Sequence, residues 1–123
     1  MSQIMDSTAD VLAIENYVRD QGGGVSFAEL CRVMAPLMPV KGEWAIELAD
    51  NLVLWAGVSD RFKNAVLQLV NERRIHARPT RLLVYLIDGG TLKMPLAARI
   101  PPSGYKSPHW APVVLNPGPN PKG

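Results

Sequence analysis

Eight of the eleven prolines in this 123-residue chain stand at or after Pro95, and they constrain its folding more than any other feature. Proline fixes φ and has no amide hydrogen to donate, so helices and central strands are not expected among closely spaced prolines. Regular structure is therefore expected in residues 1–95, read as one domain, with 96–123 as an extended, proline-rich C-terminal arm. Tyr105, Trp110 and Val113-Val114-Leu115 are too apolar for a simply solvated linker. Residues 96–115 are expected to dock on their own domain, a second copy or a partner, and 116–123 to fray.

Ahead of the prolines, helical spacing dominates. Ser7 with Asp10 resembles a capping box, after which Val11, Ile14 and Val18 share a face while Asp10, Asn16 and Arg19 point elsewhere. Gly22-Gly23-Gly24 ends this helix; no Gly-Lys-Ser/Thr follows, so it is not a phosphate loop. Ser26-Phe27-Ala28-Glu29 is a clearer capping box, and Phe27, Leu30, Cys31 and Met34 then fall on one side. Cys31 on that stripe behaves as a small hydrophobe. Pro36 and Pro39 close the second helix.

Residues 43–56 fit no single period. Two helical turns over 43–49 followed by a short buried strand over 52–55, or one helix over 43–55, both remain open. Ser59 is a good N-cap for a third helix running to about Arg73, with Phe62, Ala65, Val66, Leu69 and Val70 on its inner face. Its outer face carries Arg61, Asn64, Leu67, Gln68 and Asn71. Residues 74–78 and the β-rich run 82–87 are expected to pair antiparallel. Asp88-Gly89 reads as a hairpin turn returning 91–94 as a further strand.

Charge is split along the chain. Residues 1–60 hold nine acidic and three basic residues, whereas 61–123 hold two acidic and ten basic ones, giving −6 and +8. Such polarity points to a polyanionic partner, to mutual attraction of the halves, or to an acidic face met by another protein.

Catalytic and metal chemistry find no anchor. His76 and His109 lie in different segments without ligand spacing, and a zinc site needs three or four ligands. No nucleophile elbow or dinucleotide fingerprint occurs. A single cysteine cannot form an internal disulfide. No enzyme activity, catalytic residue, cofactor or metal is assigned. The longest apolar run, 82–87, is far shorter than the roughly 20 residues of a membrane helix. No basic residue precedes Arg19, so a secretory signal is not expected and the chain is read as cytoplasmic.

The order of elements, two capped helices, a third with a polar outer face, then a β-hairpin with a basic loop, resembles the winged helix-turn-helix class over about residues 8–87. The fold class that follows is α+β: winged-helix-like, with three main helices, a small antiparallel sheet and the extended arm. The chain is also similar in overall look to small accessory proteins of phages and other mobile elements.

The resemblance implies a non-enzymatic protein binding duplex DNA, such as a transcription regulator or mobile-element accessory factor, acting as a homodimer. The third helix, Ser59–Arg73, would enter the major groove. Asn64, Gln68 and Asn71 suit adenine edges, and Arg61 suits guanine or phosphate. Arg73, Arg74, Arg78 and Arg81 flank the turn and wing, where they would meet phosphates. His76 is expected to be a half-exposed strand residue. Two features depart from the class pattern, and the second favours an alternative. Some twenty residues, Pro36 to Val58, replace the short turn, and Leu67 interrupts the polar face as a protein contact would. The alternative is a protein-binding adaptor or inhibitor, for example a phage-encoded inhibitor of host defence. It would use Leu67 and the arm's Tyr105 and Trp110, although the preferred reading of Trp110 is that it plugs the edge of the domain's own core.

Overall fold

Helix α1 opens the computed structural model, which describes residues 2–97 and 104–121. It runs Ser2–Asp20, so Ser7 lies inside the helix rather than capping it. Val11, Ile14 and Val18 form its buried face, as their spacing predicts. Asp10 departs from expectation: its carboxylate is buried, and the Arg61 guanidinium pairs with it. The three glycines after α1 all have positive φ, a conformation glycine adopts without steric cost.

Strand β1 (Val25–Ser26) leads directly into α2 (Phe27–Met34). Ser26 Oγ accepts the Glu29 amide at 3.0 Å, as a capping box requires. The box is half made. The Glu29 carboxylate instead accepts the Tyr17 hydroxyl at 2.5 Å, tying α2 to α1. That bond to a carboxylate pushes the Tyr17 pKa up to about 12.

Residues 41–58 form an antiparallel hairpin, β2 (Lys41–Ala49) and β3 (Leu52–Val58), in place of the helix considered over 43–49 or 43–55. Only Ile46 of β2 is fully buried, and bulges shift its register repeatedly. The two-residue alternation that reveals a half-buried strand is therefore missing. β3, by contrast, buries Leu52 through Trp55, matching the short buried strand of the first option.

Helix α3 (Asp60–Asn71) has Ser59 as its N-cap, accepting the Phe62 amide at 3.0 Å. Phe62, Val66 and Leu69 join Val11, Ile14, Val18, Phe27 and Leu30 in one core. Strand β4 (Ile75–Pro79) follows, and then the largest correction: 82–87 is not a strand. Helix α4 (Leu82–Asp88) occupies it. Asp88-Gly89 is its terminus rather than a hairpin turn. Gly89, at φ 88°, donates its amide to the Tyr85 carbonyl at 2.9 Å, a left-handed cap that suits glycine. Residues 91–94 form no strand.

The strand expected from 82–87 is supplied by the proline-rich segment. Strands β5 (His109–Trp110) and β6 (Val113–Pro117) come from residues expected to be an outer arm. β6 lies between β1 and β4 and is antiparallel to both, with Leu115 opposite Val25 on one side and Ala77 on the other. β5 joins β3 in parallel, completing a second sheet of order β2-β3-β5. Residues 116–117 are thus in a ladder, not frayed. The fold is α+β, with four helices and two three-stranded sheets among the described residues. Part of the segment expected to dock, 98–103, lies outside the described residues.

An aromatic cluster joins the layers. Tyr85 and Trp110 meet edge to face at 5.0 Å, and Trp55 packs on both at 5.3 and 5.9 Å. Trp110 is fully buried, with its indole N–H donating to the Leu54 carbonyl at 3.2 Å. The docking of this residue is intramolecular.

Candidate functional site

The outer face of α3 forms as its periodicity predicts, but its polar groups are engaged with acidic neighbours. Asn64 donates to Asp60 at 3.2 Å and Gln68 to Glu72 at 3.3 Å, while Asn71 is exposed. Arg61 grips Asp10, and Arg74 makes two bonds to Glu15, at 3.0 and 2.6 Å, and one to Glu72 at 2.8 Å. Hydrogen bonding by Arg74 is the main reason the Glu15 carboxyl is held below its ordinary pKa. The same two carboxylates push the Arg74 pKa further up. Part of the charge split between the halves is therefore spent inside the molecule, through Arg61–Asp10 and Arg74–Glu15.

Arg73, Arg78 and Arg81 are exposed, at three separate places: after α3, late in β4, and at the start of α4. Since β4 pairs with β6 rather than with 82–87, no β-hairpin among the described residues carries these arginines as a wing. Leu67 is half-buried against the core instead of standing out from the polar face. Tyr105 stacks on His109 at 3.8 Å, and its carbonyl accepts the Asn51 side-chain amide, so it too is built into the fold. Cys31 packs against the core, and burial pushes its thiol up to about 11, away from nucleophilic use.

Two features were not anticipated as sites, although Leu67 and Arg73 help line the second. The first is the outer face of α4. Tyr85 anchors this helix in the core, whereas Leu83, Leu86 and Ile87 are 59%, 58% and 74% exposed. Their i, i+3, i+4 spacing is a helical signal present in the sequence, hidden because the six-residue apolar run equally fits a buried strand. Arg81 stands at one end of α4, and at the other Arg32 donates to the Asp88 carbonyl at 2.9 Å. The Asp88 carboxylate stands at that second end as well, accepting the Ser26 hydroxyl at 2.6 Å.

The second feature is a cavity of about 530 Å³ between the two sheets and the C-terminal half of α3. Phe27, Ile46, Leu54, Val66 and Leu115 make a buried, apolar floor. Arg73, Glu47 and Asn120 line its exposed side. His76 is also in the wall, and is buried rather than half-exposed as a surface strand residue would be. No sequence motif could reveal this cavity, because its lining comes from separated segments that meet only when β6 is in place. Among the described residues no group of three or more His, Cys, Asp or Glu could hold a metal ion, and no helix is long and apolar enough to cross a membrane.

No protein-family model matches the chain, and no curated protein or solved structure shows significant similarity to it.

Proposed function

We propose that the chain is a non-enzymatic protein-binding module on a winged-helix-like frame, acting as an adaptor or inhibitor through the outer face of α4. The frame reading is supported by the order α1, β1, α2, α3, β4, β6 and by the antiparallel sheet β1-β6-β4. In this reading the long connection carrying α4 stands where a wing would be, and the β2–β3 hairpin replaces the short turn before α3.

The observation that carries the proposal is the exposure of Leu83, Leu86 and Ile87 together on one short helix. Aliphatic groups in water forgo roughly 1.5–3 kcal/mol each relative to burial, and grouped exposed apolar residues mark contact sites. Arg81 at the first end of α4, and Arg32 with Asp88 at the other, suit a partner with an apolar groove and a polar rim.

Duplex DNA is the second reading, favoured by the exposure of Asn64, Gln68 and Asn71 on α3. It has less support because phosphate binding draws on cations that release counterions, and Arg61 and Arg74 are already neutralised by carboxylates.

A photo-crosslinking residue in place of Leu86 separates the two readings, with the same residue at Asn64 as comparison. The protein reading expects a defined adduct from position 86 that Ile87→Asp abolishes, with no gel shift of duplex DNA at low salt. A DNA shift at low salt that Asn64→Ala and Gln68→Ala weaken, with no adduct from position 86, would overturn it.

A further inference from the structure

The geometry points to the cavity between the sheets as a binding site for a medium-chain fatty acid, its tail on the apolar floor and its carboxylate paired with Arg73 at the mouth. Helix α4 supplies none of the lining, so this inference does not rest on the α4 face.

Arg73 stands where an arginine is poorly suited. Its amide donates to the Val70 carbonyl at 3.1 Å, and the Arg74 amide donates to the Leu69 carbonyl at 2.9 Å. This pair of bonds ends a helix through a single left-handed residue. Arg73 is that residue, at φ 60°. Glycine adopts the conformation freely, whereas a Cβ there is crowded by the following carbonyl oxygen. Asn51 shares a positive φ, but asparagine is a type that tolerates it. An unfavourable backbone kept at one residue points to a use for its side chain.

The surroundings indicate that use. Arg73 is exposed, lines the cavity, and forms no ion pair or hydrogen bond through its side chain among the described residues. In this it differs from Arg61 and Arg74, which carboxylates of the chain neutralise. Val66 and Val70, seven and three positions earlier, also line the cavity, so one stripe of α3 leads from the apolar floor to the cation. A carboxylate is the group a guanidinium holds best, through two parallel charge-assisted bonds. Phe27, Ile46, Leu54 and Leu115 offer contact to a hydrocarbon tail, and about 530 Å³ lies within the range of small-molecule sites. Glu47 opposes an anion at the mouth. Its carboxylate accepts the Asn51 amide at 3.0 Å and forms no ion pair with Arg73, so its repulsion acts through solvent and is screened.

The test titrates octanoate, 1-octanol and octylammonium into the full chain at pH 7, followed by heteronuclear NMR and calorimetry. The expected result is saturable octanoate binding, at least about fivefold tighter than octylammonium, with shifts at residues around the cavity. Arg73→Gly relieves the left-handed backbone, so it should fold at least as stably as wild type. It should weaken octanoate by about fivefold and leave octanol within about twofold. Glu47→Gln should tighten octanoate. Equal affinity for octanoate and octylammonium, undiminished octanoate binding in Arg73→Gly, or no binding of octanoate at millimolar concentration would overturn the assignment. So would a dimer whose contact covers the cavity, or a peptide ending in leucine that binds where octanoate does not. The comparison of octanoate with octylammonium is made on wild type and needs no variant to fold.

Discussion

The hydroxyl of Tyr85 donates to the carbonyl of Val113 at 2.5 Å, and this bond fixes the helix α4 to the last-placed strand of the sheet. The same oxygen accepts the Phe27 amide at 3.1 Å, so one phenol ties α4, α2 and the approach to β6 together. Tyr85→Phe preserves the ring and its aromatic contacts but leaves a buried N–H and a buried C=O unpaired. The expected loss is roughly 1–3 kcal/mol, read as a lower urea midpoint with an unchanged slope.

Alkaline pH acts through the same residue and through Tyr17. Burial pushes Tyr85, and the bond to Glu29 pushes Tyr17, from 10.0 up to about 12. Both phenols hold their protons more tightly when folded. Their contribution is thus complete below pH 10 and is lost as pH rises through about 12. Thermal melts at stepped pH should show falling stability across that window, and Tyr17→Phe should flatten part of the fall.

Acid pH acts through Glu15. Its folded pKa is below the ordinary 4.5, so its contribution is present above that value and fades as pH falls through the folded value. Glu15→Gln should be less stable than wild type at neutral pH and should show a shallower loss below pH 4.5. Urea titrations at several pH values measure both.

Arg61→Ala leaves the buried Asp10 carboxylate without its guanidinium and should destabilise the chain by roughly 1–3 kcal/mol. Because an ion pair can often be replaced by apolar groups at little cost, Asp10→Leu with Arg61→Leu should recover much of that loss. A double variant no more stable than the single one would show that the pair is not coupled.

Ending the chain after Ala111 keeps Trp110 but removes β6. β1 and β4 would then lose their shared partner, and the cooperative unfolding transition should disappear. Calorimetry that still showed a sharp transition would contradict the central place of β6.

Local signals were readable in the sequence and long-range ones were not. Ser26 and Ser59 were identifiable as caps because each needs only an amide three residues on. The inner face of α3 followed from spacing alone. In 82–87 the intrinsic preference for strand was overridden by Tyr85, whose two bonds reach residues 58 and 28 positions away. β6 was obscured by Pro112 and Pro117 at its ends, although Val113 and Leu115 alternate as a strand should. Of the expected site, the exposure of Asn64, Gln68 and Asn71 was legible from period, but the carboxylates beside them were not. His76 carried no signal, since its burial depends on strands far away in sequence.

The middle position of β6 sets the timetable of folding on the ribosome. β1 is made early and β4 midway, yet each finds its ladder partner only in residues synthesised afterwards. The Gly24 amide and its acceptor Asn116, at 2.7 Å in the finished sheet, are 92 residues apart in the chain. Contacts that close so late slow folding, and unpaired strand edges invite association with other chains. A nascent chain therefore carries β1 and β4 as open edges until residues 113–117 have emerged. Slowing translation ahead of that segment would prolong the exposure rather than relieve it.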